Sequence, residues 1–120
     1  MNRTDDSRAV SAVVAAYERG TRDRDVETLK GVFHPNAVMT GYLGPNKLIG
    51  SPEPFYAHLE ANPHPDDAYT AEVVEVEVVG RTARARLVED NLYGLSFVND
   101  FHLINEDGQW SIVSKLFHHD

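Results

Sequence analysis

The chain has 120 residues, with eleven basic against nineteen acidic side chains and no cysteine. That length suits one domain around one core, and 42% hydrophobic with 25% charged residues exclude a fibre or a disordered chain. Without cysteine there is no disulfide framework, thiol nucleophile or thiolate metal site, and a formal net charge of −8 opposes nucleic-acid phosphates and anionic membrane surfaces as partners.

The segment Met1 to Arg8 is polar, and the apolar run Ala12 to Ala16 is shorter than the roughly 7 to 15 apolar residues of a signal-peptide core. A single cytoplasmic domain over residues 1–120 is therefore expected. Asp5, Asp6 and Ser7 offer N-caps for a helix whose Val10, Val13, Val14 and Tyr17 recur at helical spacing. Gly20 and the charged stretch after it suggest a break. Asp25 then caps a shorter helix carrying Val26, Leu29 and Phe33, which Pro35 ends. A strand is expected from Ala37 to Leu43. The turn Gly44-Pro45-Asn46, with proline at its first central position, returns the chain through Lys47 to Ile49. Ser51-Pro52 marks another helix start, with Phe55 and Leu59 as its apolar edge. Asn62 to Asp67 reads as a polar, proline-broken loop within the same domain.

The second half is β. A hairpin loop at Gly80-Arg81 sets Val78 opposite Ala83, Val76 opposite Ala85 and Val74 opposite Leu87 on one face. On the other face Glu77 meets Arg84 and Glu75 meets Arg86, a solvated ion-paired surface. The same register opposes Glu72 to Glu89. A second hairpin turns at Asp107-Gly108, a strong two-residue signal, and sets Asp100 opposite Lys115. One face of this hairpin holds Phe97, Asn99, Phe101, Leu103, Trp110, Ile112 and Leu116. The other holds Val98, Asp100, His102, Ile104, Val113, Lys115 and Phe117. A sheet apolar on both faces must be covered on both, and with so few helices the second cover is expected to be another copy of the chain, in an isologous dimer.

Helices first, a short hairpin, a helix, then long strands ending in Asp107-Gly108-Gln109-Trp110-Ser111-Ile112-Val113 form a pattern that resembles the nuclear transport factor 2-like superfamily. The stripe Val10 to Tyr17, the segment Asp25 to Val38 and the Gly50-Ser51-Pro52 helix start carry the same likeness. Within the superfamily the chain is most similar to the lumazine-binding-like group, near the polyketide cyclase-like proteins. The resemblance implies an α+β fold, a curved antiparallel sheet wrapped around N-terminal helices to form a cone with an internal pocket. Ketosteroid isomerases of this fold use an Asp base on the first strand, and an oxyanion hole of a first-helix Tyr and a protonated Asp on a late strand. The Tyr corresponds to Tyr17. The base position falls on Gly41, which has no proton acceptor, and the late-strand acid falls on Asp100 or Asn99 according to the anchor chosen. These two point to opposite faces of one strand.

Candidate ligand-binding residues are therefore Tyr17, Tyr42, Tyr56, Asn99, Asp100 and Lys115. Tyr17 can donate its hydroxyl into a cavity or serve as a core aromatic. Tyr42 and Tyr56 can line or cap the cone mouth. Asp100 with Lys115 is either a polarising acid–base couple or an ion pair that fixes register. Glu72 and Glu89, if opposed on a core face, would raise one another's pKa, although strand ends are usually wet. The pocket is expected to draw on Val14, Tyr17, Phe33, Met39, Phe55, Val76, Leu87, Phe101 and Leu103. None of the six histidines stands in a metal-binding motif, no serine stands in a nucleophile elbow and no glycine-rich phosphate loop occurs, so no metal or other cofactor is expected. The leading expectation is a domain that binds a small, partly apolar, cyclic metabolite. The alternative is an isomerase, dehydratase or cyclase using Tyr17 with Asp100 or Asn99 on an enolate-like oxygen.

Overall fold

Helix α1 (Arg3–Asp23) continues through Gly20 and Thr21, where the sequence pattern suggests a break. The reason is tertiary. A Cβ on Gly20 would lie 2.9 Å from Leu29 Cγ, so glycine lets the next helix approach closely, which offsets its helix penalty of ~1 kcal/mol. The helix also starts ahead of its expected caps, so that Asp5 and Asp6 occupy the first turn and face the positive end of the helix dipole. At its other end Arg24 takes φ 56°. The Asp25 amide donates to Gly20 O at 2.8 Å and the Arg24 amide to Thr21 O at 3.4 Å, a Schellman closure. Asp25 then caps α2 (Val26–Val32), its carboxylate accepting from the Thr28 amide at 3.2 Å and from Thr28 Oγ1 at 2.7 Å. Those bonds hold its pKa below the usual carboxylate range.

These features come from a computed structural model that describes residues 3–64 and 68–120. Of the expected polar loop, Asn62 to His64 are exposed, and Pro65, Asp66 and Asp67 lie outside the described residues, as do Met1 and Asn2. Strand β1 (Phe33–Leu43) begins at once after α2, four residues ahead of the expected start, and Pro35 lies inside it. Proline is tolerated there because the pairing of β1 shifts register between Phe33 and Val38. A two-residue turn, Gly44-Pro45, leads to β2 (Asn46–Gly50). Gly44 takes the first central position with φ 59°, which leaves proline the second rather than the first. In α3 (Glu53–Ala61) Pro52 occupies the cap position and Ser51 Oγ accepts from the Glu53 amide at 3.3 Å.

Strands β3 (Thr70–Val79), β4 (Thr82–Leu92), β5 (Leu95–Glu106) and β6 (Gln109–His119) complete one six-stranded sheet of order β2-β1-β6-β5-β4-β3. The β1–β6 pair is parallel, so the sheet is mixed where a wholly antiparallel one was expected. The three helices pack on one face, burying Val10, Val14, Tyr17, Leu29 and Leu59 against Leu87, Phe101, Leu103 and Ile112. Together they make the α+β cone.

Two register shifts set the chemistry of the inner face. Between β3 and β4 the pairs Val78–Ala83, Glu77–Arg84 and Val76–Ala85 form as expected, but a bulge at Val74 then sets Val73 opposite Leu87, Glu72 opposite Val88 and Ala71 opposite Glu89. The expected Val74–Leu87 and Glu72–Glu89 pairs are therefore absent, and Val74 is half exposed. Between β5 and β6 the register follows the turn as far as Leu103–Ile112. An extra residue on β6 then sets Phe101 opposite Lys115, Asp100 opposite Leu116 and Asn99 opposite Phe117. A slip of one residue exchanges the two faces of a strand. Lys115 and Phe117 join the interior, Leu116 turns outward, and the expected Asp100–Lys115 pair does not form.

Candidate ligand-binding site

The inner face of β4 reads Ala83, Ala85, Leu87 and then Glu89, which is 1% exposed. A carboxylate so far from water needs hydrogen-bond donors. Tyr69 Oη donates to Glu89 Oε2 at 2.6 Å and Asn99 Nδ2 donates to Oε1 at 2.5 Å. Burial first, then the charge of Glu89 and this hydrogen bond, push the Tyr69 phenol well above its ordinary pKa.

Lys115 lies across the same floor, supplied by β6 beyond its bulge. Its Nζ sits 4.1 Å from the ring centroid of Phe55 and 5.2 Å from those of Tyr17 and Phe117. Among the described residues no carboxylate forms an ion pair with it and no acceptor hydrogen-bonds it. Burial lowers its pKa to about 8, against the opposing attraction of the Glu89 charge. Ring faces partly replace the water that this ammonium has lost.

Both groups open into a pocket of about 500 Å³ walled by Met39, Leu48, Phe55, Leu92, Leu95, Phe97 and Phe117, with His58 and Tyr93 also lining it. His58 and Tyr93 meet edge to face at 4.5 Å, and the Arg24 guanidinium lies over the Tyr93 ring, 4.5 Å from its centroid. The site is thus an apolar chamber with an acceptor-rich carboxylate and an amine at its floor.

Of the sequence candidates, Asn99 and Lys115 converge on this floor. Tyr17 is fully buried but does not line the pocket, since its ring stacks under Phe55 at 6.1 Å and meets Phe101 at 4.8 Å. Among the described residues its Oη has no hydrogen-bond partner. Burial, and then the Glu89 charge, hold its pKa well above the ordinary value; Thr21 moderates this without reaching hydrogen-bond geometry. Tyr42 is 51% exposed. Tyr56 is buried against Phe33, with the Lys30 ammonium 5.7 Å from its ring, and burial pushes its pKa up to about 12. Asp100 lies on the outer face, where its carboxylate accepts from Arg86 Nε at 2.8 Å and Nη2 at 3.2 Å.

Among the expected lining residues, Met39 and Phe55 border the pocket. Val14, Phe33, Leu87, Phe101 and Leu103 instead pack into the solid core, with Val76 at its edge. The acid of the inner β4 phase, Glu89, is the functional candidate that the sequence list leaves out. Tyr69, which precedes β3, carries no periodic signal. Gly41 has a steric reason to be glycine: a Cβ there would fall 2.2 Å from Phe117 O, so the first-strand position holds no side chain of any kind.

Among the described residues no helix is long and apolar enough to cross a membrane, and no group of three or more His, Asp or Glu is placed to hold a metal. The chain superposes on a nuclear transport factor 2-like protein from Shewanella baltica OS155 with TM-score 0.93 and 24% identity, covering 100% of this chain and 98% of that one. For one from Methylobacillus flagellatus KT the values are 0.92 and 27%, covering 99% and 95%. For one from Silicibacter pomeroyi DSS-3 they are 0.91 and 23%, covering 100% of both. All three are described as of unknown function. The cone is thus a nuclear transport factor 2-like domain. The family model described as "Putative lumazine-binding" matches residues 5–118, and the chain belongs to that family. No curated protein matches it in sequence.

Proposed function

We propose that the domain binds a small, partly apolar, cyclic metabolite in the 500 Å³ pocket, with Glu89 and Lys115 fixing its polar edge. The carrying observation is the desolvated carboxylate and amine at the floor of an otherwise apolar chamber, in the size range of small-molecule sites. Each has bonding capacity left over, Glu89 as acceptor and Lys115 as donor. The family's description also points to a ring ligand. Thermal-shift screening with aromatic and heterocyclic metabolites tests the reading, because a ligand of the native state raises Tm with concentration over Kd. Hits that lose their shift in Glu89→Gln and Lys115→Met support it. A heterocycle library that leaves Tm unmoved refutes it.

A second reading, an isomerase, dehydratase or cyclase, is favoured by the same floor. Glu89 would supply the carboxylate that Gly41 cannot, and Lys115 would stabilise an enolate-like oxygen. Asp100, held by Arg86 on the outside, takes no part in it. Loss of α-proton signals from a bound ketone in D2O, dependent on Glu89, separates turnover from binding alone.

The outer face is proposed to pair with a second copy. Leu116 is 53% exposed, Val38 48% and Val98 40%. The registers Val38–Ser114, Asp100–Leu116 and Val98–His118 put Val38 and Val98 diagonally on either side of Leu116, a stripe that a two-fold related copy can cover.

A further inference from the structure

We propose that Lys115 is an imine-forming amine, and that the pocket takes aldehydes or ketones carried on an apolar ring, which it holds as a reversible Schiff base. This rests on the pocket being the ligand site.

The geometry carries the argument. The chain has three lysines, Lys30, Lys47 and Lys115, and only Lys115 lines the apolar chamber. Lys30 and Lys47 are exposed. A buried lysine kept for structure is ordinarily tied to a carboxylate or a carbonyl. Lys115 has neither among the described residues, and three aromatic rings surround its Nζ without accepting a directional hydrogen bond. A desolvated amine in an apolar pocket is the usual setting of a nucleophilic lysine, and its pKa of about 8 leaves a free lone pair on part of the population near neutrality.

The other titratable groups are placed to serve the same chemistry. Glu89 lines the pocket as a proton acceptor that Tyr69 and Asn99 hold in position. Tyr17 and Tyr69 stay protonated, and His58 stands at the wall beside Tyr93. Nζ attacks the carbonyl carbon, forming the C–N bond while the carbonyl π pair moves to oxygen. One proton passes from nitrogen by way of Glu89 to that oxygen, giving a carbinolamine. A proton from solvent then turns the hydroxyl into water, which leaves as the nitrogen lone pair forms C=N, and the resulting iminium returns its N–H proton to solvent. The overall exchange, amine plus carbonyl giving imine plus water, needs no oxidant. The apolar walls limit the water beside the C=N bond that would reverse it.

The test incubates the intact protein with 2-naphthaldehyde and cyanoborohydride at neutral pH, then maps the reduced adduct by peptide mass spectrometry. In parallel, 2-naphthalenemethanol, which has the same ring but cannot form an imine, is tested for binding by thermal shift. Lys115 is expected to be labelled at least about ten times faster than Lys30 and Lys47, since each unit of lowered pKa exposes about tenfold more free amine. The label should disappear from that site in Lys115→Met and slow several-fold in Glu89→Gln. Because mapping is done on the unaltered chain, with the two exposed lysines as internal standards, the result does not depend on whether a variant folds. If the alcohol binds while Lys115 is labelled no faster than the exposed lysines, the imine is overturned and the pocket reading stands. If neither probe engages the pocket, both fall.

Discussion

Lys115 stands directly opposite Phe101 across the β5–β6 ladder, and a single extra residue on β6 keeps it from opposing Asp100. Its ammonium therefore lies inside the cone, where burial lowers its pKa from 10.5 to about 8. Between about pH 8 and 10 the unfolded chain carries a proton on this amine that the folded chain has released, so stability rises with pH across that window. Below it the full cost of the buried charge is present, on the order of 3 kcal/mol. Above about pH 10 the raised phenols of Tyr17, Tyr56 and Tyr69 act oppositely, because the unfolded chain then loses protons that the folded one keeps. Lys115→Met should raise stability at pH 7 by about 1–2 kcal/mol after the loss of cation–π attraction, and should flatten the rise between pH 8 and 10. Urea denaturation at stepped pH measures both. A variant that keeps the parent's slope would show that Lys115 is hydrated in the folded state.

The support of Glu89 is tested by removing its donors. Tyr69→Phe and Asn99→Ala each delete one bond to a buried carboxylate and should cost about 2 kcal/mol. The double variant should lose more than the two singles together, because it strands the charge. Tyr17→Phe is the contrast. Its Oη has no hydrogen-bond partner among the described residues, so its removal should leave urea stability unchanged or raise it by up to about 1 kcal/mol, and should leave ligand affinity intact. Equal losses for Tyr17→Phe and Tyr69→Phe would contradict this assignment of the hydrogen bonds.

The elements of the cone were legible because each leaves a local trace: the stripe Val10 to Tyr17, the Asp25 cap, the Gly80-Arg81 and Asp107-Gly108 turns. The hairpin registers were legible only near those turns. From Val74 on β3 and from the extra residue on β6 the pairing departs from the loop-derived register, and a bulge has no composition of its own in Val73-Val74 or Val113-Ser114. One such residue decided which of Asp100 and Lys115 reaches the interior. Asn99 was legible as one of two alternatives, and the observed face of β5 selects it. Glu89 was visible as an acid on an apolar phase, but whether a strand end is wet depends on α3 and the β4–β5 turn folding over it, which is tertiary information. Gly20 misled for the same reason, since its contact with Leu29 is not local.

Gly41 and Gly31 should respond in opposite directions to the same added methyl group. A Cβ at Gly41 meets Phe117 O at 2.2 Å and the Phe117 ring at 2.7 Å, whereas one at Gly31 meets nothing within 4 Å. Gly41→Ala must push β1 away from β6 and should cost about 3 kcal/mol or prevent folding. Gly41→Asp, which would restore an acid at the first-strand position, should fare no better. Gly31→Ala lies inside α2 and should stabilise by about 0.5–1 kcal/mol. Thermal melts of the three variants decide the matter, and a folded, stable Gly41→Asp would refute the close approach of the two strands.

The outer stripe gives the last expectation. Leu116, Val38 and Val98 lie beside ion-paired Arg86–Asp100, so an apolar strip with charges of both signs can meet its two-fold mate with like against unlike. Leu116→Lys places one ammonium from each copy near the axis and should dissociate the pair. Because Leu116 is already 53% exposed in one chain, the monomer's own fold should lose no more than about 0.5 kcal/mol. Light scattering at micromolar concentration should give twice the chain mass for the parent and once for the variant, with matching circular dichroism. A parent that already runs as a monomer removes the dimer while leaving the pocket and its floor untouched.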